Sequence, residues 1–435
     1  MAVTGRFVAL LALGALPVIL FGADRSAGAA LLAAWIGGCV LLGLLDLGLA
    51  GSPRQVALER DLPARLRLGE TATSRLFVTN RGGRMLRGRL RDGWSPSAGA
   101  PSARAAIRVP PGERRVLEQA LTPFRRGERR TRHVTIRSVG PLGLWARQAT
   151  LEAPGVLRVL PPFASRKHLP SRLTRLRELD GRTSVMIRGQ GTEFDSLREY
   201  VAGDDVRSID WRATARRSDV MVRTWRPERD RRVVMLIDTG RTSAARVADE
   251  PRIDTAFEAS LLLAALATRA GDRVDLLAYD RRVRARVQGA TGPELLSRLV
   301  DALAPVDPEL LEMDWTAAPA LVRSVTSARS LVVLLTSIDA AGSSRALLSV
   351  LPQLTKRHMV VVASVTDPDV RETARSAHDR ESIYRAAAAE RALLDTARVS
   401  AAIRRLGAEV VTAAPADLPP ALADRYLALK AAGRL

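Results

Sequence analysis

Cysteine occurs once in these 435 residues, at Cys39, and histidine four times, at His133, His168, His358 and His378. One thiol excludes an internal disulfide and any cysteine-rich metal centre. The histidines stand far apart and no HExxH spacing occurs, so zinc-dependent hydrolysis has no support. Nucleophile-elbow, phosphate-loop and dinucleotide-binding patterns are also missing, as is a His-based triad. Lysine is nearly absent too. Lys167, Lys356 and Lys430 are the only three, so the net charge of +21 is almost all arginine. No zinc-ligand spacing, RNA-binding signature or recognition-helix pattern accompanies that charge, and no nucleic-acid partner is expected.

What is present is unevenly placed. Residues 51–237 hold 39 basic against 19 acidic side chains, whereas residues 238–435 hold 26 against 25. The basic character therefore belongs to the middle of the chain. Ahead of it lie two uncharged apolar runs, Phe7 to Ala23 (17 residues) and Ala27 to Leu45 (19 residues), joined by Asp24-Arg25-Ser26. Each is about long enough to cross a bilayer core. A signal peptide is disfavoured because the second run follows almost at once. The pair reads as a transmembrane helical hairpin, with Pro17, Gly14, Gly37, Gly38 and Gly43 suiting close helix packing and Asp46 expected at the membrane interface. Arg6 before the first run, and Arg54, Arg60, Arg65 and Arg67 after the second, predict cytoplasmic ends. The expectation is a multi-pass protein of the inner membrane, in contact with lipid, with residues 51–435 in the cytosol.

From Arg54 to Pro161 the texture is one of short alternating segments. Ala64 to Leu68, Ser74 to Val78 and His133 to Arg137 alternate polar and apolar side chains, which puts one face in a core and one in water. Turn signals at Asn80-Arg81-Gly82-Gly83, Pro110-Pro111-Gly112 and Gly140-Pro141-Leu142-Gly143 separate them. The spacing predicts a β-sandwich of immunoglobulin-like type with arginines on its outer face, where an anionic leaflet would attract them. A soluble arginine-rich face fits the same residues.

Arg231 to Asp238 opens an α/β regime. Continuous apolar runs at 233–237, 274–279, 331–336 and 359–365 alternate with helical stretches, which indicates a mostly parallel sheet covered on both faces. Ligand sites in such sheets gather at the strands' carboxyl ends, where Asp238, Asp280, Thr336, Ser337, Asp339 and Asp367 fall. The division that follows is 1–52 apolar hairpin, 53–163 sandwich, 164–230 linking segment and 231–435 α/β domain.

The linking segment holds the densest writing in the chain, RGQGTEFDSLREYVAGDDVRSIDWRATARR over residues 188–217. Carboxylates alternate with arginines, and Phe194, Tyr200 and Trp211 punctuate them. Ions at that density must be paired if buried, so a self-paired network clamped onto a neighbouring surface is expected. The run Gly191, Phe194, Leu197, Arg198, Tyr200, Gly203, Asp204, Arg207, Ile209, Asp210, Trp211 resembles the signature of a bacterial family known only as domain of unknown function number fifty-eight. Residues 125–147 and 425–435 resemble the same family. The resemblance implies a membrane-anchored chain with a von Willebrand factor A-like domain after the signature, and partnership with a MoxR-type AAA+ ATPase. In the von Willebrand factor A fold the first strand ends in D-x-S-x-S, which helps to hold Mg²⁺. Here that reads Asp238-Thr239-Gly240-Arg241-Thr242, so one hydroxyl is missing, and Thr316 and Asp339 stand as further candidate ligands. Asp238 can hold a weak Mg²⁺ site or cap its own loop, and both readings stay open.

Two functions follow. The first is a binding and scaffold protein without catalysis, in which Phe194, Arg198, Tyr200, Asp204, Asp205, Arg207, Asp210 and Trp211 form a partner-docking surface or an interdomain clasp. In that reading Asp210-Trp211 is structural, and truncating Trp211 costs several kcal/mol, as for a core aromatic. The alternative is a metal-dependent hydrolase built from Glu193, Asp195, Asp204, Asp205 and Asp210. The interleaved Arg198, Arg207 and Arg212 count against it, because each competes with a cation for a carboxylate.

Overall fold

The computed structural model describes every residue except 1, 23, 102–103, 187–192, 218, 227–230, 339–340 and 377, and leaves aside the side chains of 180–195, 224–226 and 341–343. The chain divides into two units, Met1–Leu160 and Pro161–Leu435.

The first unit opens with strand β1 (Ala2–Val3) and helices α1 (Gly5–Ala12), α2 (Ala15–Phe21) and α3 (Arg25–Leu49). The first apolar run is thus helical over Gly5–Phe21 with a break between α1 and α2. The break falls at Gly14, where a Cβ would lie 2.3 Å from the Trp35 ring. The α3 helix is the one element among the described residues long and apolar enough to cross a membrane. Of the glycines expected to pack the two helices, Gly14 does so, against Trp35 of α3, whereas Gly43 abuts Trp145 in the sandwich and Gly37 and Gly38 face open space.

Eight strands follow: β2 (Val56–Asp61), β3 (Arg65–Arg67), β4 (Ala72–Asn80), β5 (Leu86–Asp92), β6 (Ala105–Val109), β7 (Arg114–Leu121), β8 (Gly127–Val139) and β9 (Trp145–Leu160). They form a six-stranded sheet ordered β1-β9-β8-β5-β6, with β3 also on β9, and a three-stranded sheet β2-β4-β7. The predicted period of two is plain in β4, where Ala72, Ser74, Leu76 and Val78 are buried and Thr73 and Arg75 are exposed. Leu76, Val78, Leu86, Leu90, Val109, Val134 and Ile136 make one core between the sheets. The arginines are not all outside, however. Arg60 is buried and grips Asp92 with two hydrogen bonds of 2.8 Å, and Asp92 also accepts from Trp94 Nε1 (2.9 Å) and Thr131 Oγ1 (3.3 Å).

Asp46, near the end of α3, is held inside the protein and is 1% exposed. Its carboxylate accepts from the backbone N–H groups of Leu142 (2.8 Å) and Leu144 (2.7 Å) in the turn between β8 and β9. Thr4 Oγ1 approaches the carbonyls of Gly143 and Leu144 from the other side. Gly140 is required here, since a Cβ would meet the Asp46 carbonyl at 2.1 Å. The Gly-Pro-Leu-Gly turn therefore fastens the apolar helices to the sandwich, which explains why residues 140–145 carry that composition.

The second unit begins with a 3₁₀ turn (Ala164–His168) and α4 (Leu169–Met186), followed by β10 (Glu193–Glu199), α5 (Trp211–Arg217) and β11 (Met221–Arg226). Then come β12 (Arg232–Asp238), the short pair β13 (Arg246–Val247) and β14 (Glu250–Pro251), α6 (Arg252–Arg269), β15 (Arg273–Tyr279) and β16 (Val283–Val287). The chain continues through α7 (Gly292–Leu303), α8 (Ala318–Val325), β17 (Leu331–Leu335), α9 (Ala341–Thr355), β18 (Met359–Val365), α10 (Pro368–Thr373), α11 (Arg380–Arg405), β19 (Glu409–Ala413) and α12 (Leu418–Ala431). The sheet order is β16-β15-β12-β17-β18-β19. All neighbours are parallel except the β15–β16 edge. The fully apolar faces of β12, β17 and β18 need cover on both sides, and α6, buried along most of its length, supplies part of it. The α12 helix is tied down by a buried lock: Asp272 accepts from Tyr426 Oη (2.5 Å) and Lys430 Nζ (2.9 Å).

Candidate functional site

Strand β12 lies in the middle of the sheet between β15 and β17, so its carboxyl end delivers Asp238 to the crevice where chain connections diverge. Asp238 is 3% exposed. Its carboxylate accepts from Thr336 Oγ1 at 2.6 Å, the Gly240 N–H at 2.8 Å and Thr242 Oγ1 at 3.4 Å. Burial pushes its pKa up, and these three donors oppose the shift only in part. Beside it Asp280, also buried, accepts from Arg284 Nε (2.6 Å), Thr239 Oγ1 (3.1 Å) and the Arg282 N–H (2.9 Å). Burial works to raise that pKa, but the donors win and hold it below the aspartate range.

The candidate Mg²⁺ ligands do not converge. Asp238 and Thr242 meet, as the motif implies, but Thr316 Oγ1 instead donates to Asp314 at 2.5 Å. Asp339 lies outside the described residues. Thr336 is the partner that ligand counting passed over, and its place at the end of a central apolar strand was the available signal. The Gly240 N–H points at Asp238 where a hydroxyl would stand in the complete motif. Ser337, the other hydroxyl on this rim, is held by Arg252 at 2.7 Å. Arg241 turns outward to pair with Glu312. Among the described residues no three His, Cys, Asp or Glu side chains form a metal-holding group. A neighbouring cavity lined by Ser243, Arg252, Thr336 and Ser337 has about 20 Å³, room for one water.

One buried carboxylate whose pKa burial pushes up, with its oxygens already taken by Thr336, Gly240 and Thr242, does not fit a divalent cation that demands near-octahedral oxygens. Titration of the full chain with Mg²⁺ or Mn²⁺ in a calorimeter should therefore show no micromolar binding. A micromolar isotherm abolished by Asp238→Ala would reinstate the metal site.

The signature segment forms a compact device of its own. Strands β10 and β11 pair antiparallel, Arg198 opposite Val222 and Glu199 opposite Met221. Between them the chain turns at Gly203, whose φ of 108° only glycine adopts readily. Asp204 binds Arg198 (2.5 Å) and the Val201 N–H (2.9 Å), and the Arg198 contact leads in holding its pKa below the usual range. Asp205 accepts from the Arg207 N–H. Asp210 caps α5 through the N–H groups of Arg212 and Ala213, both at 3.0 Å, and takes Arg223 Nε at 2.8 Å. The Ala213 bond, then Arg223, depress its pKa. Each carboxylate named here thus accepts at least one hydrogen bond within the segment. The side chains of Glu193, Phe194 and Asp195 lie outside the described residues.

The aromatics overturn one expectation. Trp211 is 67% exposed and Tyr200 is 38% exposed. Trp211 therefore cannot stabilise the fold as a core aromatic does, and the several-kcal/mol cost expected for its truncation does not apply. Leu197, Val201, Val206 and Val220 are exposed with them, and among the described side chains of the segment Met221 and Val222 are the buried apolar ones. Charge pairs rigidify the hairpin from within while its apolar side chains face outward.

Comparison with known proteins places this segment. Residues 196–404 match the model of a family described as "Protein of unknown function DUF58". An uncharacterized protein of Mycobacterium tuberculosis, Rv1480, is 27% identical over 185 residues, 42% of this chain and 57% of that protein. YeaD of Bacillus subtilis, also uncharacterized, is 27% identical over 124 residues, 28% of this chain and 30% of its own. The chain thus spans 57% of the mycobacterial relative's length and 30% of the Bacillus one's. Among solved structures, the VWA domain of SpRpn10 is 9% identical with a TM-score of 0.30, covering 45% of this chain and 94% of that one. An aerotolerance-related membrane protein from Bacteroides fragilis is 13% identical with a TM-score of 0.29, covering 46% and 98%. Residues 196–404, a little under half of the chain, thus match the family described as protein of unknown function DUF58.

Proposed function

We propose that this chain is a membrane-anchored docking protein. In this reading the apolar helices hold it in the inner membrane as a two-span hairpin, residues 51–435 face the cytosol, and the hairpin of residues 196–226 receives a protein partner. The partner implied by the family resemblance is a MoxR-type AAA+ ATPase, which would be tethered beside a client complex during its assembly or maturation. The observation that carries the reading is the exposure of Trp211 on a hairpin whose own acids and arginines are paired. Exposed aromatics on a rigid frame supply the anchors that dominate interface energetics. The hydrolase alternative lacks any comparable support, since Asp204, Asp205 and Asp210 are each engaged by donors of their own segment.

Anchoring and topology are tested by reporter fusions at Ser26 and after Leu435. The two sites should give opposite signals, outside for Ser26 and inside for the carboxyl terminus. An external carboxyl terminus would remove the cytosolic docking role.

A further inference from the structure

The outer face of the six-stranded sheet carries a stripe of arginine that the docking reading leaves unused. On β5 the side chains of Arg87, Arg89 and Arg91 are exposed, alternating with buried Leu86, Leu90 and Asp92. Register sets like charges directly opposite each other, Arg87 against Arg108 of β6 and Arg89 against Arg137 of β8. Such pairs destabilise a sheet unless something else compensates. None of Arg87, Arg89 and Arg108 has an acidic partner among the described residues, and their cross-strand neighbours include Ala106 opposite Arg89 and Gln148 opposite Arg137. Glutamates enter only towards the far end, with Glu152 opposite His133 and Glu128 paired to Arg130.

The bare end of the stripe is the end that meets the apolar helices. Arg137 Nη2 donates to the Val3 carbonyl at 3.0 Å, one residue before Thr4 caps α1. Gly51, two residues past α3, abuts the Met85 carbonyl, and Met85 immediately precedes β5. Both the entry and the exit of the apolar segment therefore sit beside Arg87, Arg89, Arg108 and Arg137. The Asp46 bracket on the β8–β9 turn fixes that geometry.

We propose that this face binds the phosphate headgroups of anionic lipids in the leaflet from which α3 emerges. The proposal rests on the membrane-anchored reading. Guanidinium groups bind phosphate bidentately, and a phosphate between Arg87 and Arg108 turns their repulsion into a shared attraction. Attraction to an anionic surface amounts to about fivefold in affinity per arginine and fades within a Debye length, about 8 Å at physiological salt. A strand advances about 7 Å every two residues. Arg87 and Arg108 therefore contribute strongly, and Arg91 and Arg132, further along the strands, contribute little.

The test uses the full chain in vesicles of phosphatidylcholine mixed with phosphatidylglycerol, followed by extraction and measurement of the retained lipid ratio. The native chain should enrich phosphatidylglycerol at least tenfold over the vesicle composition. Arg87→Glu combined with Arg108→Glu should abolish the enrichment, while Arg91→Glu combined with Arg132→Glu should keep most of it. Arg87→Glu alone separates lipid binding from folding. It should raise the unfolding temperature in neutral detergent, by creating an opposite-charge pair with Arg108, and yet lower the enrichment. Equal loss from both double variants, no enrichment in the native chain, or displacement of the lipid by an RNA oligonucleotide would each overturn the proposal. A chain that fails to float with vesicles would remove the anchored reading and this inference together, whereas floating without lipid preference removes the inference alone.

Discussion

Replacing Asp92 by alanine should destabilise the sandwich by about 3–5 kcal/mol, the cost of stripping one partner from a buried ion pair. Arg60 and Asp92 are each only 4% exposed at the side chain, so the guanidinium left behind cannot be rehydrated without opening the sheets. The loss also orphans the Trp94 N–H and the Thr131 hydroxyl, both of which use the same carboxylate. Arg60 lies 5.3 Å from the centre of the Trp94 ring, so the tryptophan loses its orientation as well. For a domain of this size the unfolding midpoint should fall by about ten degrees or more. The paired change of Arg60 to Met with Asp92 to Leu should recover most of the loss, because a desolvated pair replaced by apolar volume leaves no stranded charge. Thermal unfolding of the three variants, read at a probe in the first unit, checks this. A loss below about 1 kcal/mol for Asp92→Ala would mean that water reaches the pair.

Asp272→Ala should be nearly as damaging to the second unit, at roughly 3 kcal/mol or more. Its two oxygens satisfy the Tyr426 hydroxyl and the Lys430 ammonium, and Tyr426 is 1% exposed. Lys430 keeps the Ala270 carbonyl at 3.2 Å and a long contact to the Tyr426 hydroxyl at 3.5 Å once the carboxylate is gone. The expected consequence is release of α12 from α6 before the sheet unfolds, visible as early loss of hydrogen-exchange protection in residues 418–431. Simultaneous exchange of α12 and β12 in the variant would contradict a local lock. The lock also gives a physical reason for the composition of the last eleven residues, RYLALKAAGRL, in which Tyr426 and Lys430 stand one helical turn apart.

Much of the scaffold was legible because it rests on periodicity. Alternation in β4 and β8, and unbroken apolar runs in β12, β17 and β18, follow from which faces are wet. Turn residues marked most boundaries. What periodicity does not carry is pairing between distant polar groups. Arg60 counted in the sequence as one of a topogenic cluster, and its burial depends on Asp92, thirty-two residues away. The anchorage of Asp46 was not legible, because its partners are backbone N–H groups of residues 142–145, which leave no mark on a charge count. At the candidate site, the weakness of the metal motif was visible in Gly240, but the diversion of Thr316 to Asp314 was not. Trp211 shows the limit most clearly. Its neighbour Asp210 pairs with Arg223, yet the direction of the indole depends on what α5 packs against, and no local pattern encodes that.

The central claim is that the exposed aromatic face of the signature hairpin docks a cytosolic protein. Its most direct test is a binding titration of the full chain in nanodiscs against a purified MoxR-type AAA+ ATPase from the same cell, comparing the native protein with Trp211→Ala. With Trp211 two-thirds exposed, the variant should unfold within about 0.5 kcal/mol of the native chain, as surface substitutions do. Its affinity should fall by about thirtyfold or more, the loss of a hot-spot tryptophan. Unchanged affinity with unchanged stability, or a stability loss of several kcal/mol, would contradict the account.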